Sequence, residues 1–377
     1  MPSGYRQIFP YLHRMETRYD VLRQSLKRRL GWLGPVQIIA YRGHGTRQAL
    51  YLNGRVLEDK NISPVNGKRL SWHNLRMMYK RFESDEIAGV RLRAQFEDAT
   101  QDVITDDEGY FQLRLQPTKE MQGDKLWRDV SLTLLDEVRP GQGRVQTKGQ
   151  VMTPLRYPDF GVISDVDDTI IKTQATTFFM MLWLTLRSDA ATRLPFPGVA
   201  AFYRALQQGV TGRSHNPIFY VSSSPWNLYD LLIDFMDAHG VPRGPLFLRD
   251  FGLDRDKFIQ SSHQQHKLTQ INALLDTYDH MPFILIGDSG QKDPEIYCQA
   301  AREKPGRIRA IYIRNVTSWT RAQEVLALAT KARAYGSDMR LITDTVAAAK
   351  HAAMRGFITS EAISDVHVET TQAASRR

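Results

Sequence analysis

The chain has 377 residues, enough for two domains with ample core, and its 42% of hydrophobic and 24% of charged residues are typical of a soluble globular protein. The formal net charge of +9 favours anionic partners, either a lipid surface or nucleic acid, without choosing between them. The single cysteine, Cys298, excludes an internal disulfide. Neither a secretory signal nor an apolar run of the roughly 18 residues that span a bilayer is evident. We therefore expect a cytoplasmic protein that can associate with membranes.

Residues 1–34 are predicted to form a basic amphipathic helical arm. Apolar residues recur at intervals of three and four between Leu12 and Leu30, with arginines and lysines interleaved. Such a helix can lie on an anionic membrane, or it can pack on its own protein with a solvated basic face. Apolar helical stripes are more often packed, so the second interpretation is favoured.

Residues 35–155 change to a shorter period, which predicts a β-rich domain. The predicted strands are 36–41, 49–52, 55–57, 90–96, 110–115 and 130–134. Turn residues separate them, notably Asn53-Gly54, Gly89 and the acidic stretch 106–109. Several short strands of this kind predict a β-sandwich, and residues 107–111 are similar to the turn and strand of immunoglobulin-like carbohydrate-regulatory modules. An insert at 64–82 is predicted to be helical.

Residues 156–360 are predicted to form a second domain, followed by a flexible tail at 361–377. This domain opens with an apolar run at 160–163 that leads into an Asp-x-Asp-x-Thr motif formed by Asp165, Asp167 and Thr169. A buried strand would deliver these carboxylates to the open end of a sheet, where ligands bind in α/β folds. A nucleophilic carboxylate with a second carboxyl two residues on suits phosphoryl transfer through an aspartyl-phosphate. Alone, such a motif is as often a surface turn.

An apolar segment at 176–185 separates this motif from the next. Its methionines and large aromatic residues suit a surface that meets acyl chains, and they equally suit a helix buried on the sheet or on the β-rich domain. The candidate lipid contacts are Phe178, Phe179, Met180, Trp183 and Arg187.

A second motif is a β-branched and aromatic run at 218–221 that ends in three serines. The spacing from the predicted strand favours Ser222 as the functional hydroxyl over Ser223 and Ser224.

A third motif is Lys267. It is preferred as the functional lysine over Lys257 and Lys292 because it opens a helical pattern. A fourth is the apolar run 283–287 followed by Asp288 and, five residues later, Asp293. Asp293 can act at the site or cap the helix that follows it, and the two roles are compatible.

The order and spacing of these four motifs resemble the haloacid dehalogenase superfamily of phosphotransferases. The residue identities within and around these motifs are similar to those of one branch, the catalytic domain of the actin-patch-type, Mg²⁺-dependent phosphatidate phosphatases and their bacterial relatives. The similar segments are 164–170, 220–228, 266–267, 287–295 and 311–316. This resemblance covers about residues 156–357. It implies an α/β fold, a Rossmann-like domain with a small cap, preceded here by the β-sandwich and the helical arm.

The resemblance also implies a role for each motif residue. Asp165 would be the nucleophile, and Asp167 would protonate the leaving alkoxide and then deprotonate water. Thr169 would orient the nucleophile, Ser222 would donate to a phosphoryl oxygen, and Lys267 would bind the transferring group and neutralise Asp165.

A divalent cation would offset the negative charge of the carboxylates and of the substrate, and Mg²⁺ suits such oxygen ligands. Its implied ligands are the side chains of Asp165 and Asp288 and the main-chain carbonyl of Asp167. Asp293 would lie behind these ligands and orient water or Lys267.

The leading functional hypothesis is a Mg²⁺-dependent phosphatase that hydrolyses a lipid phosphomonoester, phosphatidate, to diacylglycerol and phosphate through an aspartyl-phosphate. It implies an anionic phospholipid substrate and peripheral membrane contact in preference to nucleic acid. The alternatives are a phosphatase of soluble esters or nucleic-acid ends, and a non-enzymatic membrane or protein adaptor. The complete set of motif residues argues against the adaptor, because a scaffold does not need them.

Overall fold

The computed structural model describes residues 33–59, 86–167, 169–170, 196–249 and 263–375. The predicted helical arm up to residue 32, the insert at 64–82 and the apolar segment at 176–185 therefore lie outside the described residues, as do Arg187 and Lys257. Within the described ranges, no helix combines the length and the apolar character that crossing a membrane requires.

The described residues in the first half of the chain form a mostly antiparallel sheet of eight strands. They are β1 Val36–Ala40, β2 Gly43–Gly45, β3 Leu50–Glu58, β4 Arg91–Phe96, β5 Ala99–Ile104, β6 Tyr110–Leu115, β7 Trp127–Leu134 and β8 Gln146–Met152. The strand order is β1-β3-β2-β8-β7-β4-β5, with β6 also paired to β3. Among the strand pairs of the described residues, only β2 and β8 run parallel. In β4, buried and exposed residues alternate strictly, and the buried set, Leu92, Ala94 and Phe96, shares one core with the other strands. The immunoglobulin-like sandwich stays a prediction.

The predicted turn at Asn53-Gly54 is wrong, because β3 continues through it. Gly54 pairs with Ala40 of β1 on one side and with Phe111 of β6 on the other. A Cβ at Gly54 would clash with the Phe111 ring, so this glycine gives room to a packed aromatic side chain instead of forming a turn.

The other two predicted turns are confirmed. Gly89 and Gly109 both have positive φ angles, which glycine adopts without strain. Asp106 Oδ1 accepts hydrogen bonds from the amides of Glu108 and Tyr110 and so closes the second turn.

The second half of the chain forms an all-parallel sheet with helices between its strands. The strands are β9 Gly161–Asp165, β10 Ile218–Pro225, β11 Leu246–Arg249, β12 Phe283–Asp288, β13 Ile308–Arg314 and β14 Asp338–Ile342. The helices are α1 Val199–Gln208, α2 Tyr229–Ala238, α3 His263–Thr277, α4 Asp293–Glu303, α5 Trp319–Ala334, α6 Thr345–Met354 and α7 Ala362–Ser375, with a 3-10 turn at Trp226–Leu228.

The strand order of this sheet is β11-β10-β9-β12-β13-β14. Counted from its first strand, the order is 3-2-1-4-5-6, the order of doubly wound sheets, in which ligands bind where the winding reverses. That reversal lies between β9 and β12, so the carboxyl ends of these two strands frame the expected crevice.

Both faces of the parallel sheet are covered, which explains why its strands read as continuous apolar runs. Val162 and Ile284 face a core shared with α1, α2, α6 and α7, whereas Ile163 and Leu285 face a core shared with α3, α4 and α5. Strands β9 and β12 are thereby buried along their whole length, up to the carboxylates at their ends.

The prediction of a flexible tail at 361–377 is wrong for most of its length. Helix α7 packs on the sheet side that carries α1, with Val366 fully buried. Glu369 Oε2 accepts a hydrogen bond of 2.6 Å from the Ala201 amide at the start of α1. The few apolar residues of this segment are spaced among polar ones, so the sequence pattern alone is weak.

Candidate active site at the carboxyl edge of the parallel sheet

Two carboxylates stand at the point where the winding of the sheet reverses. Asp165 is the last residue of β9 and Asp288 is the last residue of β12, and the two strands pair directly. Both side chains are buried. Carboxylate oxygens of Asp165, Asp288 and Asp293 lie within 4.8 Å of one another. The structure thus brings together three acidic residues that are up to 128 positions apart in the chain.

Lys267 joins two of these carboxylates. Its Nζ donates to Asp165 Oδ1 at 2.8 Å and to Asp293 Oδ1 at 2.5 Å, and all three side chains are almost completely buried. Burial alone would lower the pKa of Lys267, but the two carboxylates outweigh it and raise the pKa, so the lysine stays cationic. The rival Lys292 is exposed and pairs with Glu295 instead.

Asp293 does not cap α4. The helix begins at Asp293 itself. Asp293 Oδ2 accepts a hydrogen bond from the Asp288 amide at 3.2 Å, and Asp293 Oδ1 accepts one from Lys267 Nζ. Gly287 leaves the space for this approach, because a Cβ there would clash with the Asp293 carboxylate. The capping alternative is therefore wrong, and Asp293 ties Lys267 to the end of β12.

Both oxygens of Asp165 have hydrogen-bond donors. Thr169 Oγ1 donates to Oδ2 at 3.2 Å, and Lys267 occupies Oδ1. Burial raises the pKa of Asp165, with Asp293 adding to the rise and Lys267 opposing it. The Thr169 contact is the one that the resemblance implies, while the catalytic role of this residue stays a prediction.

Asp288 has one oxygen that is satisfied and one that is not. Oδ1 accepts from the amides of Gly290 and Gln291 at 2.6 and 2.9 Å. Oδ2 is buried and has no hydrogen-bond partner among the described residues. Burial, with a further contribution from Asp293, raises the pKa of Asp288 to about 7.

The donor set of this cluster fits a hard divalent cation. Three buried carboxylates face a single lysine, and the unpartnered Asp288 oxygen costs free energy unless a positive group binds it. Oxygen ligands from one or two carboxylates, with water and substrate completing the shell, are what Mg²⁺ prefers.

Asp167 is held by two serines from β10. Ser222 Oγ donates to Asp167 Oδ2 at 2.7 Å and accepts from the Ser224 amide at 2.9 Å, which fixes the direction of its proton. The Ser224 hydroxyl adds a longer contact of 3.3 Å to the same carboxylate oxygen. Which of Ser222, Ser223 and Ser224 contacts phosphate stays a prediction, but the structure joins two of them to the predicted acid.

Two supporting contacts are absent from the sequence-based predictions. Tyr203 of α1 shares a hydrogen bond of 2.6 Å with Ser164, directly before Asp165. Arg321 of α5 donates to the carbonyls of Ser289 and Gln291, which hold the loop after β12 whose amides bind Asp288. A buried serine inside an apolar strand was a usable signal for the first contact, whereas nothing distinguishes Arg321 from other surface arginines.

The part of the chain that holds this site matches a known protein family. Residues 160–315 match the family model of the catalytic domain of phosphatidate phosphatase APP1. This range contains all seven of the predicted catalytic and metal-site residues, from Asp165 to Asp293. It is therefore similar to a phosphoric monoester hydrolase domain, which supports the resemblance predicted from the motifs.

Two curated proteins are similar over nearly the same range. Phosphatidate phosphatase APP1 of Saccharomyces cerevisiae is 33% identical over 154 residues, which cover 41% of this chain and 25% of the yeast protein. An uncharacterised protein of Schizosaccharomyces pombe is 27% identical over 158 residues, which cover 42% of this chain and 25% of that protein. The chain thus spans about a quarter of the length of the curated relatives it matches.

Among solved structures, a carbohydrate acetylesterase from Xanthomonas citri aligns with 78% of this chain and 72% of its own, at 12% identity. Its TM-score of 0.26 is too low to indicate a shared fold.

Proposed function

We propose that this protein is a Mg²⁺-dependent phosphatase of the haloacid dehalogenase type that hydrolyses phosphatidate to diacylglycerol and phosphate. The observation that carries the proposal is the buried cluster of Asp165, Asp288, Asp293 and Lys267 at the carboxyl edge of the parallel sheet. The similarity of residues 160–315 to the APP1 catalytic domain supports the lipid substrate.

The first half of the reaction uses two aspartates. The Asp165 carboxylate forms a bond to phosphorus as the bond to the ester oxygen breaks, and Asp167 gives its proton to that oxygen, which leaves as diacylglycerol. Lys267 reaches Asp165 directly, so its charge opposes the repulsion between the nucleophile and the phosphate dianion.

The second half restores the enzyme. Asp167 takes a proton from water as the water oxygen attacks the aspartyl-phosphate, and phosphate leaves while Asp165 regains its carboxylate. The donors from Ser222 and Ser224 hold Asp167 in place for both proton transfers. Positioning and charge stabilisation supply most of the acceleration in phosphoryl transfer, and this site is built to provide both.

Asp165 and Asp288 would hold the Mg²⁺ ion, together with the Asp167 main-chain carbonyl that the family resemblance implies. When bound, the ion supplies positive charge that offsets the carboxylates and the phosphoryl oxygens. Asp293 would stay behind it, since its two oxygens already bind Lys267 and the Asp288 amide.

A non-enzymatic adaptor is disfavoured by the same cluster. Buried, incompletely paired charges destabilise a fold, and a scaffold gains nothing in return for them. An anionic phospholipid as substrate also agrees with the formal net charge of +9.

The substrate class is tested by comparing phosphate release from three esters under identical Mg²⁺ concentrations: phosphatidate in detergent micelles, 4-nitrophenyl phosphate and a 5′-phosphorylated oligonucleotide. We expect kcat/KM to be highest for phosphatidate. Faster turnover of the oligonucleotide would overturn the lipid assignment while leaving the phosphatase chemistry in place.

A further inference from the structure

The β-rich domain contacts the parallel-sheet domain next to the candidate active site. Tyr41, directly after β1, is buried, and its ring stacks on Trp226 with centroids 4.7 Å apart and planes 14° apart. The same ring lies 4.2 Å from the ring of Tyr229, at the start of α2.

Polar contacts fasten the two segments on either side of this stack. The Arg42 amide donates to Tyr229 Oη at 2.5 Å, and the Arg42 guanidinium pairs with Asp237 of α2 at 2.6 Å. The ring contact therefore restrains Trp226 itself, and the two directional contacts restrain α2, which begins directly after the turn that contains Trp226.

That turn continues directly from the strand that holds Asp167. Trp226 lies two residues after Ser224, and β10 ends between them at Pro225. The pairing of β10 with β11 is irregular after Val221, so the sheet alone holds this end of the strand less strictly than it holds β9 or β12. An additional restraint on Trp226 therefore acts on the segment that places Ser222 and Ser224 against Asp167.

We propose that Tyr41 is a positioning residue for the general acid, so that the β-rich domain forms part of the catalytic unit. The proposal rests on the proposed function. The chain of contacts runs from Tyr41 to Trp226, along the backbone to Ser224 and Ser222, and from their hydroxyls to Asp167. Loss of the Tyr41 ring loosens this chain and lets Asp167 leave the position from which it protonates the ester oxygen.

The interface offers a matched control at its opposite end. Trp127 of β7 packs against the Arg243 guanidinium, 5.3 Å from the ring centroid, and Arg243 precedes β11 at the amino edge of the sheet. A Trp127→Leu variant thus removes an aromatic contact between the same two domains, far from the carboxyl ends of the strands.

The test compares Tyr41→Leu, Tyr41→Phe and Trp127→Leu with wild type on three esters in Mg²⁺: phosphatidate in detergent micelles, phenyl phosphate and 4-nitrophenyl phosphate. The two aryl esters differ mainly in the leaving group, since 4-nitrophenolate departs without a proton whereas phenolate benefits from one. Misplacement of a general acid therefore affects phenyl phosphate far more than 4-nitrophenyl phosphate.

For Tyr41→Leu we expect kcat/KM to fall about tenfold or more on phosphatidate and on phenyl phosphate, with less than about a threefold change in kcat/KM on 4-nitrophenyl phosphate. The comparison uses kcat/KM because it reports formation of the aspartyl-phosphate, in which Asp167 acts as the acid, and not the later step in which Asp167 acts as the base. Tyr41→Phe keeps the ring and should restore the wild-type pattern, and Trp127→Leu should not produce the selective loss. If Tyr41→Leu does not fold, Trp226→Leu removes the other half of the stack and should give the same selectivity.

Equal fractional losses of kcat/KM on the two aryl esters would overturn the positioning role, as would the same selective loss in Trp127→Leu. Either result would mean that the Tyr41 contact only packs the two domains together. If Tyr41→Leu turns over all three esters as fast as wild type, the positioning role of Tyr41 is overturned and the proposed function still stands. If the wild-type protein releases phosphate from none of the three esters, the proposed function fails, and the positioning role fails with it.

Discussion

Asp288→Asn should change the pH dependence of stability in a defined direction. Burial raises the pKa of Asp288 from its ordinary value of 3.8 to about 7 in the folded chain. Ionisation of this carboxyl therefore destabilises the fold, and the penalty grows as the pH rises from the unfolded to the folded pKa and then levels off. The variant cannot ionise at this position and escapes the penalty.

The magnitude follows from the two pKa values. At about 1.4 kcal/mol per pKa unit, the penalty should grow by about 3 kcal/mol between pH 5 and pH 8. The stability of wild type relative to Asp288→Asn should fall by this amount over the same range in the presence of a chelator. Addition of Mg²⁺ at pH 8 should remove most of the difference, because the ion binds the folded state and stabilises the ionised carboxylate.

The assay is urea unfolding followed by circular dichroism at pH 5 and pH 8, with chelator and then with Mg²⁺. Asp279→Asn is a suitable control, since the Asp279 side chain is largely exposed. A wild-type to Asp288→Asn difference that stays within about 0.5 kcal/mol between the two pH values would refute the reasoning that burial perturbs this carboxyl.

Three further predictions concern other described residues. Asp165→Asn should lower phosphate release about a thousandfold or more with the fold retained, because it removes the nucleophile; turnover within tenfold of wild type would exclude that role. Lys267→Met should lower the free energy of unfolding by about 3–5 kcal/mol, because it leaves two buried carboxylates without their cation. Lys292→Met, at an exposed position, should lower it by less than about 1 kcal/mol. Equal losses for the two variants in urea unfolding would contradict this prediction. Gly54→Ala should cost about 1–3 kcal/mol in the same assay, because its Cβ would clash with the Phe111 ring, and unchanged stability would instead favour a turn at this position.

The catalytic edge of the parallel sheet was accessible from sequence because each aspartate follows a continuous apolar run. Such runs predict strands buried on both faces, and the carboxyl ends of parallel strands meet at one edge. Asp165 and Asp288 could therefore be placed together without coordinates. The roles of Lys267 and Asp293 follow from the family resemblance, and only the structure shows that the lysine bridges Asp165 and Asp293.

Other features depend on contacts that no local pattern encodes. Asn53-Gly54 is a strong turn signal, yet β1 and β6 pair with β3 on both sides and override it. Strands β2, β5 and β8 are short, glycine-containing or polar, so their apolar periodicity is weak. Helix α7 forms because α1 and α6 cover its few apolar residues, and the hydrogen bonds from Ser222 and Ser224 to Asp167 join residues more than 50 positions apart.

The most direct measurement is release of inorganic phosphate from phosphatidate in detergent micelles, first with Mg²⁺ and then with chelator. The carboxylate cluster and the similarity to the APP1 catalytic domain predict release that depends on Mg²⁺ and disappears in Asp165→Asn. Release that continues in chelator, or that survives in Asp165→Asn, would contradict the assignment of this cluster as the active site.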